Sequence, residues 1–156
     1  LNIEEPTVGT DISWRIERKD AEGKWQKVDD AGIDFGWRSY GYFAFLGCDG
    51  RNYSKVTPVP GIEDISGENP VDADWNPYDG PSGELFKAIS IKALLDFDYE
   101  QMMEDRRCMI NGDGGSTCAP GDGEKMTYRE FLGGGFLDAI KAMAAAGAER
   151  LVYDFD

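Results

Sequence analysis

The chain has 156 residues, 30 of them acidic against 16 basic, a formal net charge of -14 and no histidine. Without imidazole there is no Ser-His-Asp triad, no Cys-His dyad and no His-ligated metal; any acid-base chemistry would fall to carboxylates, lysines, tyrosines or thiolates. A net charge of this sign repels phosphate, so direct binding to nucleic acid or to an anionic membrane is not expected, whereas basic partners are attracted.

Hydrophobic residues make up 41% of the chain, and a chain of this length can bury roughly 70% of its unfolded surface in one core. No apolar run reaches the ~18–20 residues of a membrane span and no signal peptide is evident, which predicts a soluble, cytoplasmic protein. The three cysteines are too few for a four-cysteine zinc site. Reduced thiols are the expectation in a cytosol, with a Cys108–Cys118 bridge as the alternative. No metal and no cofactor is expected.

Residues 1–10 show no periodicity and read as a flexible tail ahead of a single domain over 11–156. From Asp11 to Arg18 the sequence alternates, with Ile12, Trp14 and Ile16 on one face and Arg15 and Glu17 on the other, the pattern of a half-buried strand. Turn chemistry at Asp20 to Gly23 and a second strand at Lys24 to Val28 complete a β-hairpin. The aromatic stretch from Gly36 to Leu46 predicts a short helix packed on that hairpin.

Between Val56 and Phe86 there are seven acids and no lysine or arginine: Glu63, Asp64, Glu68, Asp72, Asp74, Asp79 and Glu84. Five prolines in the same stretch predict a long extended or turning loop. Connections normally run ~4–6 residues, and a loop of this length in a compact domain is usually functional or mobile. Trp75 and Tyr78 within it either anchor the loop or contact a partner.

Ser90 is placed to cap a helix that carries Ile91, Leu94 and Leu95 inward. The glycine-rich text from Asn111 to Glu124 reads as a flexible loop. Thr127 with Glu130 forms a capping box, the helix it starts is interrupted by Gly133 to Gly135, and it resumes with Phe136, Ile140 and Met143 on one face. Gly147 ends it, and Arg150 to Phe155 forms a terminal strand. The expected fold is α+β: the N-terminal hairpin and the C-terminal strand in one antiparallel sheet, packed with two or three helices, plus the acidic loop.

Several constellations offer chemistry. The carboxylate pairs Asp96 and Asp98, or Asp72 and Asp74, suit a hydrolase, although such pairs arise readily in so acidic a chain. The glycine-rich Asp113 to Ser116 and Asp122 to Glu124 stretches lack EF-hand spacing, and Gly133 to Gly135 lack the lysine of a phosphate-binding loop. Asp49 to Ser54 places a cation, an amide and a phenol side by side. It reads either as a turn in which Arg51 pairs with a carboxylate, or as a site for a small anionic ligand such as a nucleotide. That site would be built from Arg51, Asn52 and Tyr53 with Trp37, Arg38 and Tyr40, and with Lys55 as a further cation.

The order Asp11 to Glu17, Tyr42 to Gly47, Arg51-Asn52-Tyr53, Pro58 to Ser66, Ile91 to Tyr99 and Arg150 to Asp156 resembles a group of small, uncharacterised phage and prophage proteins. Where many members carry histidines before the Leu-Leu segment, this chain has Gly83 to Ala88 without them, so any role of those histidines is lost here. The resemblance implies a phage origin, the cytoplasm of an infected bacterium, and no established activity. Phage accessory proteins that are small, acidic and without catalytic residues commonly act by binding and blocking a host protein. The leading expectation is a host-interaction or anti-defence protein whose Glu63-to-Glu84 acids, with Trp75 and Tyr78, face a basic host protein that itself binds nucleic acid, as a DNA mimic does. The alternatives are a nucleotide sponge and a carboxylate-based hydrolase.

Overall fold

The computed structural model describes residues 10–36, 38–65, 86–108 and 115–155. The expected hairpin forms from β1 (Ile12–Lys19) and β2 (Trp25–Val28). Asp20 closes it, its carboxylate accepting the backbone N–H groups of Glu22 and Lys24 at 2.9 Å each. The terminal strand β9 (Arg150–Phe155) lies antiparallel beside β1 along its whole length, from Ile12 opposite Phe155 to Glu17 opposite Arg150. Two strands complete the sheet, β3 (Glu63–Asp64) and β4 (Lys87–Ser90), in the order β2-β1-β9-β4-β3. The α+β architecture with both chain ends in one antiparallel sheet is therefore the observed one.

The helices pack on the face carrying Ile12, Ile16, Ile89, Leu151 and Tyr153. They are α1 (Tyr40–Phe45), α2 (Ile91–Asp96), α3 (Tyr128–Leu132) and α4 (Gly134–Ala145). Each of the first three starts at a hydroxyl cap: the side chains of Ser39, Ser90 and Thr127 accept the N–H groups of Tyr42, Ala93 and Glu130. That satisfies donors which the first turn leaves without partners. Among the described residues four helices stand where two or three were expected, because the segment read as one interrupted helix is two. Gly133, with φ at 86°, turns the chain between α3 and α4, a backbone state that costs glycine little. The face predicted for α4 is buried as Phe136, Ala139, Ile140 and Met143. In α2, Ile91 and Leu94 are buried but Leu95 is 40% exposed, a correction to its predicted inward position.

The glycine-rich stretch is also corrected. Its described part contains β7 (Ser116–Thr117), paired with β6 (Arg107–Cys108), and it runs into β8 (Glu124–Thr127), paired with β5 (Met102–Asp105). Two small two-stranded sheets thus stand beside the main one. No helix among the described residues is long and apolar enough to cross a membrane.

Alternation on β1 predicted two faces, with the charged one solvated. In the structure that second face is buried: Arg15 is 1% and Glu17 2% exposed, with Arg150 at 8%. Glu17 lies 2.7 Å from the Arg15 guanidinium and accepts from Arg150 at 2.8 Å. The Arg150 guanidinium also stacks 3.9 Å from the Trp25 ring centroid. Ile65, Phe86, Ala88 and Val152 form a small apolar cluster on the same face.

Candidate binding surfaces

The Arg51-Asn52-Tyr53 turn follows a single 3-10 turn at Asp49–Arg51. Asn52 is fully occupied in holding the chain: its side chain accepts the Val56 N–H at 3.1 Å and donates to the Val56 carbonyl at 2.9 Å. Arg51 pairs with hydroxyls rather than the expected carboxylate, donating from Nε to Thr10 at 2.7 Å and from a terminal nitrogen to Tyr53 at 3.4 Å. Thr10, read as part of the tail, is therefore tied to the body; residues 1–9 lie outside the described residues.

Tyr40 stands at the start of α1 with its ring 5.7 Å from that of Tyr53. The Arg107 guanidinium lies over the Tyr40 ring, 4.3 Å from its centroid. The fold thus brings Tyr40, Arg51 and Tyr53 together and adds Arg107, which the sequence did not single out because it lies on a two-residue strand. Arg38 is engaged elsewhere, in an ion pair with Asp11 at 2.7 Å, and Trp37 lies outside the described residues.

Among the acids of the Val56-to-Phe86 stretch, Glu63 and Asp64 are exposed on β3, the edge of the main sheet. Glu68, Asp72, Asp74, Trp75, Tyr78, Asp79 and Glu84 lie outside the described residues. The residues flanking that segment are held together: Ile65 donates its N–H to the Phe86 carbonyl at 2.9 Å, and both side chains are buried. The carboxylates considered for hydrolysis have structural partners, Asp96 in an ion pair with Lys92 and Asp98 accepting the Glu100 N–H at 3.0 Å. Asp72 and Asp74 lie outside the described residues.

The three cysteines are free thiols. Cys108 is the last residue of β6 and Cys118 directly follows β7, so the two thiols are neighbours. Burial and then the neighbouring thiol push Cys118 above the ordinary thiol range, and burial does the same to Cys48. Neither is activated as a nucleophile at neutral pH. No group of three or more potential ligands among the described residues is arranged to hold a metal ion.

A groove of about 600 Å³ opens between the Lys55-to-Pro60 segment and β5. Phe97 and Tyr128 line it, and Lys55, Glu104 and Arg106 supply its charged groups. No protein-family model, curated protein or solved structure matches the chain.

Proposed function

We propose that this is a phage-type, non-catalytic interaction protein that binds a basic, nucleic-acid-binding host protein and blocks it with its acidic residues. The observation that carries this reading is the run of seven acids without a lysine or arginine between Val56 and Phe86, in a chain of net charge -14. The geometry supports it at two points. Glu63 and Asp64 are exposed on an edge strand, and the buried, hydrogen-bonded pair Ile65 and Phe86 fastens both ends of the remaining acidic segment to the same sheet edge. A run of carboxylates this dense gives an electrostatic partner preference and a fast, salt-sensitive encounter.

The test is native mass spectrometry of the chain after incubation with bacterial lysate, beside a variant with all seven acids changed to Asn or Gln. A stoichiometric basic protein should bind the parent chain, be lost from the variant, and be displaced by duplex DNA if the acids mimic phosphates. Its affinity should fall steeply between about 50 and 500 mM salt. Equal binding by parent and variant at both salts would sink the proposal.

A second reading, a nucleotide-binding protein, is favoured by one observation: two guanidiniums, Arg51 and Arg107, meet the Tyr40 and Tyr53 rings at one place. Cations beside aromatic rings suit a phosphate attached to a base. Thermal-shift screening with nucleotides should then raise Tm in proportion to the logarithm of ligand concentration, and Arg107→Gln should remove the rise.

A further inference from the structure

The groove beside β5 has a structural feature that goes beyond the acidic surface. Tyr128 donates its N–H to the Gln101 carbonyl at 3.1 Å, and the β5–β8 register pairs Met103 with Met126 and Asp105 with Glu124. In an antiparallel ladder hydrogen-bonded pairs alternate with non-bonded ones. The odd-numbered residues of β5 therefore bond to β8, and Met102, Glu104 and Arg106 direct their backbone groups to the opposite edge.

Among the described residues that edge is taken only at its Arg106 end. Arg106 donates its N–H to the Ser54 carbonyl at 3.1 Å. The chain then leaves the edge at Lys55, whose φ is 55°, the left-handed region that non-glycine residues seldom enter. Beyond this kink the Val56-to-Pro60 segment forms the far wall of the groove. Its position is fixed by the Asn52 side chain on Val56 and by Tyr128, whose hydroxyl donates to the Thr57 carbonyl at 3.0 Å. Among the described residues nothing bonds the backbone N–H and C=O groups of Met102 and Glu104. Among the described residues the groove is thus a preformed slot with an open strand edge on one wall, apolar rings at Phe97 and Tyr128, and Met102 at 63% exposure.

We propose that this slot binds an extended peptide segment of a partner protein, added as a strand to the open edge of β5 and carrying an acidic side chain. Main-chain bonds to Met102 and Glu104 supply the affinity, as in other strand-addition sites. The charge preference follows from the rim. Arg106 donates from Nε only to the uncharged Cys118 carbonyl, at 2.9 Å, and Lys55 is exposed. The Glu104 carboxylate is held by the backbone N–H groups of Gly121 and Gly123, the latter at 2.8 Å; these donors, with smaller help from the Lys125 and Arg106 charges, lower its pKa. Two cations thus line the groove against one carboxylate that backbone amides already hold, a local positive excess in a molecule that is otherwise strongly negative. The site is separate from the acidic edge at β3, so failure of either proposal leaves the other standing.

The probe is a pair of acetylated heptapeptide libraries with alternating apolar positions, one with glutamate fixed between them and one with lysine. Amide hydrogen exchange on the full chain is the readout. In the free protein Met102 and Glu104 should exchange fast, and Met103 and Asp105 slowly. The glutamate library should slow Met102 and Glu104 by about tenfold or more and the lysine library should not, since each new backbone bond adds protection. Met102→Pro removes an N–H that β8 does not use, so the β5–β8 ladder should survive while binding is lost. Lys55→Gln, at an exposed side chain, should reduce the preference for glutamate. The proposal is overturned if neither library changes the two amides or if Met102→Pro binds equally well. It is also overturned if the amides are already protected in a sedimenting dimer, which would make a second copy of the chain the occupant.

Discussion

At the scale of single residues, the buried charges decide most. Glu17 faces two guanidiniums from neighbouring strand positions where water is nearly absent, at 2.7 and 2.8 Å. Removing the carboxylate would take from Arg15 and Arg150 an anionic partner held where water is nearly excluded, and breaking a buried pair typically costs ~3–5 kcal/mol. Glu17→Ala should therefore lose that much in urea unfolding, and Glu17→Gln less, because the amide oxygen can still accept from Arg150. A loss below ~1 kcal/mol would mean that the guanidiniums find water or another acceptor. The thiols give a second residue-level prediction. With the pKa values of Cys48 and Cys118 both raised, their thiolate fractions at neutral pH are small. Alkylation by iodoacetamide should be slow at pH 7 and should accelerate as pH rises, since only the thiolate attacks. Rapid labelling of Cys118 at pH 7 would contradict the burial and thiol contact assigned to it.

Among the elements, the capping box at α3 carries a pH signature. Glu130 accepts from the Thr127 backbone N–H at 2.9 Å and from its hydroxyl at 3.1 Å, and these bonds hold its pKa below the ordinary glutamate value near 4.5. A carboxylate with a lower pKa folded than unfolded contributes stability above the unfolded value, and loses it as pH falls through the folded one. Glu130→Gln should thus lower Tm at pH 7, and the gap between variant and parent should close as the solution is acidified. At β8 the critical residue is Gly123, where a Cβ would stand 2.4 Å from the Asp105 carbonyl oxygen. Gly123→Ala should push the two strands apart and speed amide exchange at Met103 and Asp105.

These two elements also separate what could be read in the sequence from what could not. The Thr127 and Ser90 caps, the apolar face of α4 and the β1–β2 alternation are local signals, each complete within a few residues, and the fold keeps them. Strands β5 to β8 are two to four residues long, and β5 finds its partner only across the glycine-rich stretch, so no local pattern marks them. The buried ion cluster was hidden for a related reason. Alternation on β1 separates two faces, but it does not report that both are covered, and Arg150 reaches Glu17 from the other end of the chain. The candidate surfaces divide the same way: Arg51, Tyr53 and Tyr40 are close in sequence, whereas Arg107 joins them, and the open β5 edge arises, only through tertiary pairing.

For the molecule as a whole, the charge imbalance should outweigh its surface ion pairs. Three ion pairs with well-exposed partners are present among the described residues, Asp11 with Arg38, Asp96 with Lys92 and Glu100 with Arg129. Exposed pairs of this kind contribute ~0–1 kcal/mol each, and salt weakens them. Against them stands a formal excess of 14 negative charges, whose mutual repulsion opposes the compact state and is screened over about 10 Å at 0.1 M salt. Because the Arg15–Glu17–Arg150 cluster is buried, screening reaches it least. Added sodium chloride should therefore raise Tm monotonically from about 10 mM to about 500 mM, with most of the rise below about 200 mM, where the screening length changes fastest. The variant with the seven acids of the Val56-to-Phe86 stretch neutralised should start from a higher Tm at low salt and gain less from it. A Tm that falls with salt in the parent chain would mean that attractive pairs dominate, and the acidic surface would then be internally compensated rather than available to a basic partner.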